Sequence, residues 1–185
     1  MIEFTRTALT RRCIVLALGA LTLAARAQPV DVVVDPGHTP ARPGARSADG
    51  RPEYGYNLTF TGRLVHVLTQ RGLRVERSDA GAVELSLTER TARTGDARLF
   101  VSIHHDSIQQ EWIDRGWRDR FRGFSLFVSQ RNPDYDRSLA CARQIGSELR
   151  AAGEVPSLYH ATPIPGENRP LLDRTNGIHR FDDLV

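Results

Sequence analysis

Apolar positions along the chain fall into short β-branched runs separated by stretches with helical spacing. Val30 to Val34 is the first run, Leu73 to Arg77 a second and shorter one, and Leu99 to Ile103 the most apolar. Short runs of this kind, bounded by turn signals, read as buried strands. Between the first two, Leu58, Thr61, Val65 and Leu68 recur at helical intervals and predict a helix from about Tyr56 to Gln70, stopped by Arg71 and Gly72. Ser86 and Glu89 have the spacing of a capping box and open a helix that runs to about Gly95. From Gly123 to Ser129 the alternation of Phe124, Leu126 and Val128 predicts a fourth strand. Asn132 and Pro133 then start a helix whose apolar face is Leu139, Ala142, Ile145 and Leu149, ended by Gly153.

Strands alternating with helices in this way predict βαβ units, hence a single α/β domain whose mostly parallel sheet is flanked by helices. The loop from Asp35 to Pro52 is too rich in glycine, proline and arginine to be a core element. In the segment from Ser107 to Arg122, Ile113, Trp117 and Phe121 stand four apart and predict one face of a short helix, either buried on the domain or forming a flap over a ligand. Tyr159 to Asp183, with three prolines and mixed polarity, receives no element. A length of 185 residues suits one domain and little more.

The first residues do not count toward that domain. Arg6, Arg11 and Arg12 form a basic region, Ile14 to Ala24 an apolar stretch too short to span a bilayer, and Ala25, Arg26, Ala27 a small-x-small cleavage site. Residues 1–27 are therefore expected to be a signal peptide, with the mature domain at 28–185 and no stable membrane anchor after cleavage. Arg11 and Arg12 suit both an ordinary signal and a twin-arginine one. Export to the periplasm of a two-membrane bacterium is the expected location.

Charge and cysteine content then narrow the function classes. The formal charge is +3, but the leader carries four arginines and one glutamate, so 21 of 25 basic and 21 of 22 acidic side chains remain. A balanced mature chain gives no sign of nucleic-acid binding. Cys13 leaves with the leader and Cys141 is then alone, which excludes an internal disulfide.

Candidate chemistry sits at the strand ends. His38 follows the first strand across an Asp35-Pro36-Gly37 turn, His104 ends the third strand, and Glu53 lies in the polar stretch between them. Ligands of open α/β sheets collect at the carboxyl ends of the strands. Two imidazole nitrogens and one carboxylate oxygen are the donor set of a catalytic zinc with an open fourth position. His105 offers the same chemistry as His104, and strand alternation sends the two to opposite sides. Asp106 is expected to cap or orient this loop. His66 and His160 read as surface residues.

Four ordered motifs over most of residues 31 to 150 make the chain resemble the zinc-dependent N-acetylmuramoyl-L-alanine amidases. They are Asp35-Pro36-Gly37-His38 after a strand, Glu53 with Asn57 and Leu58, Ser86-Leu87-x-x-Arg90, and Phe100 to His104 with Gly123-Phe124 opening the next strand. The resemblance implies an α/β sandwich around a twisted sheet, peptidoglycan as substrate, and cleavage of the amide between N-acetylmuramic acid and L-alanine in cell-wall turnover. It implies His38, Glu53 and His104 as ligands of Zn2+, which would acidify a bound water and polarise the scissile carbonyl. Asp35 is expected to accept the other imidazole N–H of His38.

The resemblance also implies a general-base glutamate in a Pro-Ala-Val-Leu-x-Glu strand near the C-terminus. No such strand occurs up to Val185, so that glutamate is expected beyond it, in a chain cut short. A zinc-containing peptidoglycan-binding protein without hydrolysis, and a zinc carboxypeptidase acting on stem peptides, are the alternatives. Neither stem-peptide specificity nor a regulatory partner is legible.

Overall fold

A computed structural model of the chain describes residues 29–80, 84–166 and 168–183. The expected signal peptide at 1–27, like Val185, lies outside the described residues. Within them the α/β expectation holds: β1 (Val32–Pro36), α1 (Glu53–Gln70), β2 (Val75–Arg77), α2 (Leu87–Ala92), β3 (Leu99–Ile103), α3 (Gln110–Asp114), β4 (Leu126–Val128), α4 (Tyr135–Ala151), β5 (Leu171–Asp173) and β6 (Ile178–Arg180).

The strands form two three-stranded sheets, ordered β2-β1-β3 and β4-β6-β5. The first is entirely parallel, and its central strand is covered on both faces, with Val33 and Val34 almost fully buried. Continuous burial is why Val32-Val33-Val34 shows no polar alternation. In the second sheet β4 runs parallel to β6, and β5 returns antiparallel. Its core is Val128, Ala142 and Ile178, with Leu126, Tyr135, Leu139 and Leu172 packed around them.

Register positions the site. Because β1 and β3 are parallel with Pro36 opposite Ile103, the residues that leave their carboxyl ends emerge side by side. The Gly37 N–H donates to the Ile103 carbonyl at 2.9 Å, which carries the pairing one residue past the strand.

Four sequence expectations change. The first helix begins at Glu53 rather than near Tyr56, and its fully buried row is Glu53, Asn57 and Thr61, with Leu58, Val65 and Leu68 only half-buried. In α4 the buried positions are Ala142 and Gly146, while Ile145 is exposed. A Cβ at Gly146 would meet the Asn176 side chain at 2.7 Å, so close approach of the β5–β6 turn rotates the helix onto its small residues.

The expected stripe of Ile113, Trp117 and Phe121 does not form, because α3 ends at Asp114 and Gly116 turns the chain at φ 72°. Trp112 takes the place of Ile113. Its ring stacks on Trp117 with centroids 5.0 Å apart, and Phe121 bridges from Trp112 to the buried Tyr159. Ile113 is exposed.

His160 is not a surface residue as expected. Its Nε2 lies 3.0 Å from Asp106 Oδ2, which gives Asp106 the loop-orienting role read from sequence. His179 is fully buried against the rings of Phe127 and His160, and burial pushes its pKa down. The unfolded chain therefore takes up this proton first as pH falls through about 6.5, and stability present above that value is lost below it. We expect a lower melting temperature at pH 5.5 than at pH 7.5, with the gap reduced in His179→Phe. An equal gap in that variant would remove His179 as its source.

Candidate metal centre

The site assembles from three segments. His38 stands two residues past β1 with φ 72°, the left-handed region, and is the one non-glycine residue in that state among the described residues. Glu53 opens α1, where the partial positive charge of a helix N-terminus favours a carboxylate. His104 follows β3 directly.

Glu53 is 5 % exposed and joins the two imidazoles. Its Oε2 lies 3.0 Å from His38 Nε2 and its Oε1 3.0 Å from His104 Nδ1. The two rings meet edge to face at 4.9 Å, and one ligand atom from each residue lies within 4.8 Å of the others. The backbone N–H groups of Ala45 and His105 also donate to this carboxylate, at 3.3 and 3.1 Å. Burial alone pushes the Glu53 pKa up, but the hydrogen bond from His104, the charges of His38 and His104 and the His105 N–H outweigh it. The result is a value of about 2.

Alternation separates the adjacent histidines. His105 turns away from the cluster, its Nδ1 2.8 Å from Asn57 Oδ1 and its ring beside Tyr56 and Phe60. Burial lowers its pKa as well.

Asp35 departs from its expected part. Its carboxylate accepts from Ser78 Oγ, from Ser102 Oγ at 2.6 Å and from Arg90 at 3.2 Å, rather than from the His38 ring. Strand alternation explains the difference: Asp35 lies inside β1 with its side chain buried, whereas His38 lies beyond the strand on a reversed backbone. Arg90, known from sequence only as part of the Ser86-Leu87-x-x-Arg90 motif, is the residue that links the two.

The donor set fits a divalent ion. Neutral imidazoles and an ionised carboxylate are ordinary zinc ligands, and the backbone around them is cut to their shape. A Cβ on Gly44 would lie 2.6 Å from Glu53 Oε2 and 2.7 Å from His38 Nε2, and one on Gly37 would lie 2.2 Å from His104 Nε2. Only glycine leaves these three groups where they are. Beside them opens a cavity of about 220 Å3 that includes both histidines and is walled by Arg42, Leu85, Leu87 and Phe100.

The profile of the N-acetylmuramoyl-L-alanine amidase family matches residues 32–168. The chain belongs to that family. Its members are cell-wall amidases, so the chain is a peptidoglycan amidase by class and its site of action is extracytoplasmic. No curated protein matches the sequence. Among solved structures, the N-acetylmuramyl-L-alanine amidase Ami1 of Mycobacterium smegmatis shares the fold with a TM-score of 0.61 and 22% identity, over 84% of this chain and 74% of Ami1. The apo form of Ami1 from Mycobacterium abscessus is similar at TM-score 0.61 and 20% identity, over 84% of this chain and 76% of that one. No helix among the described residues is long and apolar enough to cross a membrane.

Proposed function

We propose that the protein is an exported, zinc-dependent amidase that cuts the bond between the lactyl group of N-acetylmuramic acid and L-alanine in peptidoglycan. The observation that supports this reading is the convergence of His38, Glu53 and His104, two of which, His38 and His104, also line an open cavity. Family membership makes the reaction an amide hydrolysis, and the three side chains supply the means to hold the ion.

Each has a defined task. His38 and His104 give neutral nitrogen donors. Glu53, with its pKa of about 2, is ionised throughout the neutral range and offsets one charge of a divalent ion. Such an ion, when bound, would polarise the scissile carbonyl and acidify a water. Hydrogen bonds from Ala45 and His105 hold the carboxylate in place, so its position does not depend on the ion. Zinc is the reading for the metal because imidazole and carboxylate together suit it, and its abundance decides between ions that share this donor set.

Incubation of the zinc-loaded protein with muropeptides, followed by mass spectrometry, tests the reading. Release of the intact stem peptide from the sugar is the expected product, and it should disappear with a chelator. Loss of a terminal D-alanine would replace the proposal with a carboxypeptidase. Retention of muropeptide without any product would replace it with a binding protein.

A further inference from the structure

We propose that Arg90 and Asn57 are positioning residues that hold His38 by its backbone, an inference that rests on the metal-centre reading above. Three consecutive carbonyls at this turn are each taken by a buried side chain. Arg90 Nη1 donates to Pro36 O at 3.1 Å, Asn57 Nδ2 donates to Gly37 O at 2.8 Å, and Arg90 Nη2 donates to His38 O.

The need for such a grip follows from the backbone. At φ 72° His38 occupies a region that suits glycine and disfavours residues with a Cβ. Glycine has no imidazole to offer, so a ligand here must accept the strained conformation. Strain of this kind persists only where the surroundings over-determine it.

Arg90 is the residue type that can do this. Its planar fork carries five donors in fixed geometry, and both Asp35 oxygens anchor it at 3.2 and 3.3 Å. Arg90 and Asp35 are 7% and 4% exposed, so water does not compete for these bonds. A lysine ammonium is a single point charge and cannot reach two carbonyls and a carboxylate together.

Asn57 ties the turn to the second ligand. Its Oδ1 faces His105 Nδ1, next to His104, and it sits one helical turn after Glu53. One buried amide thus touches the His38 turn and the His104–His105 segment from the helix that carries Glu53.

The test is competitive titration of metal-free protein with Zn2+ alone, against a chromophoric chelator. Loss of a partner that orients a ligand typically weakens metal affinity by about 10–100-fold, and we expect that loss in Arg90→Lys and in Asn57→Ser. Arg93→Lys is the control, since Arg93 donates to the Ser78 and Ala80 carbonyls away from the turn, and it should bind as the unmodified protein does. Co2+-loaded Arg90→Lys should also show an altered visible absorption spectrum, which a general loss of stability would not produce. If Arg90→Lys does not fold, Asn57→Ser decides by the same measurements. If neither folds, both are supports of the fold and the proposal falls. Affinity within threefold of the unmodified protein in both variants overturns the clamp alone, whereas an unmodified protein that binds no Zn2+ overturns the metal centre and the clamp with it.

Discussion

Replacing Glu53 with alanine is expected to abolish tight metal binding while leaving the chain folded. In the proposed centre the carboxylate is a direct donor, and it lies between the two imidazoles at 3.0 Å from each. Its loss should exceed the roughly 10–100-fold typical of an outer partner, so an affinity drop of more than about 100-fold is the expected result. The cost to the metal-free fold is smaller. The N–H groups of Ala45 and His105 lose an acceptor, at about 1–3 kcal/mol for each donor that water cannot reach. His38 and His104 are 30% and 39% exposed at their side chains and can hydrate instead. Glu53→Gln separates shape from charge. The amide still accepts hydrogen bonds through its oxygen, so the melting temperature should recover while the affinity for zinc does not. Zinc titration and thermal unfolding of both variants are the measurements. Glu53→Ala that binds zinc within tenfold of the unmodified protein would remove Glu53 from the ligand set.

The parts of the fold that could be read from sequence are those where one physical signal dominates. Val32-Val33-Val34 is apolar on both faces because a central parallel strand is covered on both. The Ser86–Glu89 capping box is local chemistry and forms as its spacing predicts. The hairpin of β5 and β6 is not legible in the pattern, although Asn176-Gly177 at its tip is a strong turn signal. Its strands are three residues long and carry His179 and Arg180, so no apolar alternation marks them. Partners distant in sequence, Phe127 and His160, bury His179 there.

The site divides in the same way. A histidine just past each of two neighbouring parallel strands is legible, since register alone brings their ends together. What holds them is not legible. Arg90 belongs to a motif and Asn57 to another, but the carbonyls of Pro36, Gly37 and His38 that they grip are 20 to 54 residues away in the chain. Asn57 falls on the same row of α1 as Glu53, one step off the face that Leu58, Val65 and Leu68 mark, and polar residues at helical spacing read as a solvent face. In this helix it is the buried one.

Gly37→Ala should cost the site almost as much as deleting His104, and the fold very little. Gly37 does not have a positive φ, so alanine meets no backbone strain there and the whole effect is one of space. The added Cβ would lie 2.2 Å from His104 Nε2 and 2.3 Å from Cε1, well inside van der Waals contact. The imidazole must move, and with 39% of its side chain exposed it can swing toward solvent. That motion breaks the 3.0 Å contact of Nδ1 with Glu53 and takes one donor out of the cluster. Zinc affinity is expected to fall by more than about 100-fold, with a shift in melting temperature no larger than the 2–4 °C that about 1 kcal/mol gives in a chain of this size. Gly44→Ala is a poorer probe, because φ 76° adds backbone strain to the clash with Glu53 and His38. The deciding measurement is a double-mutant cycle. If Gly37 acts only by leaving room for His104, then Gly37→Ala adds nothing to the loss already caused by His104→Ala, as coupled neighbours fail to add. Additive losses in zinc affinity would mean that the glycine serves the site by another route.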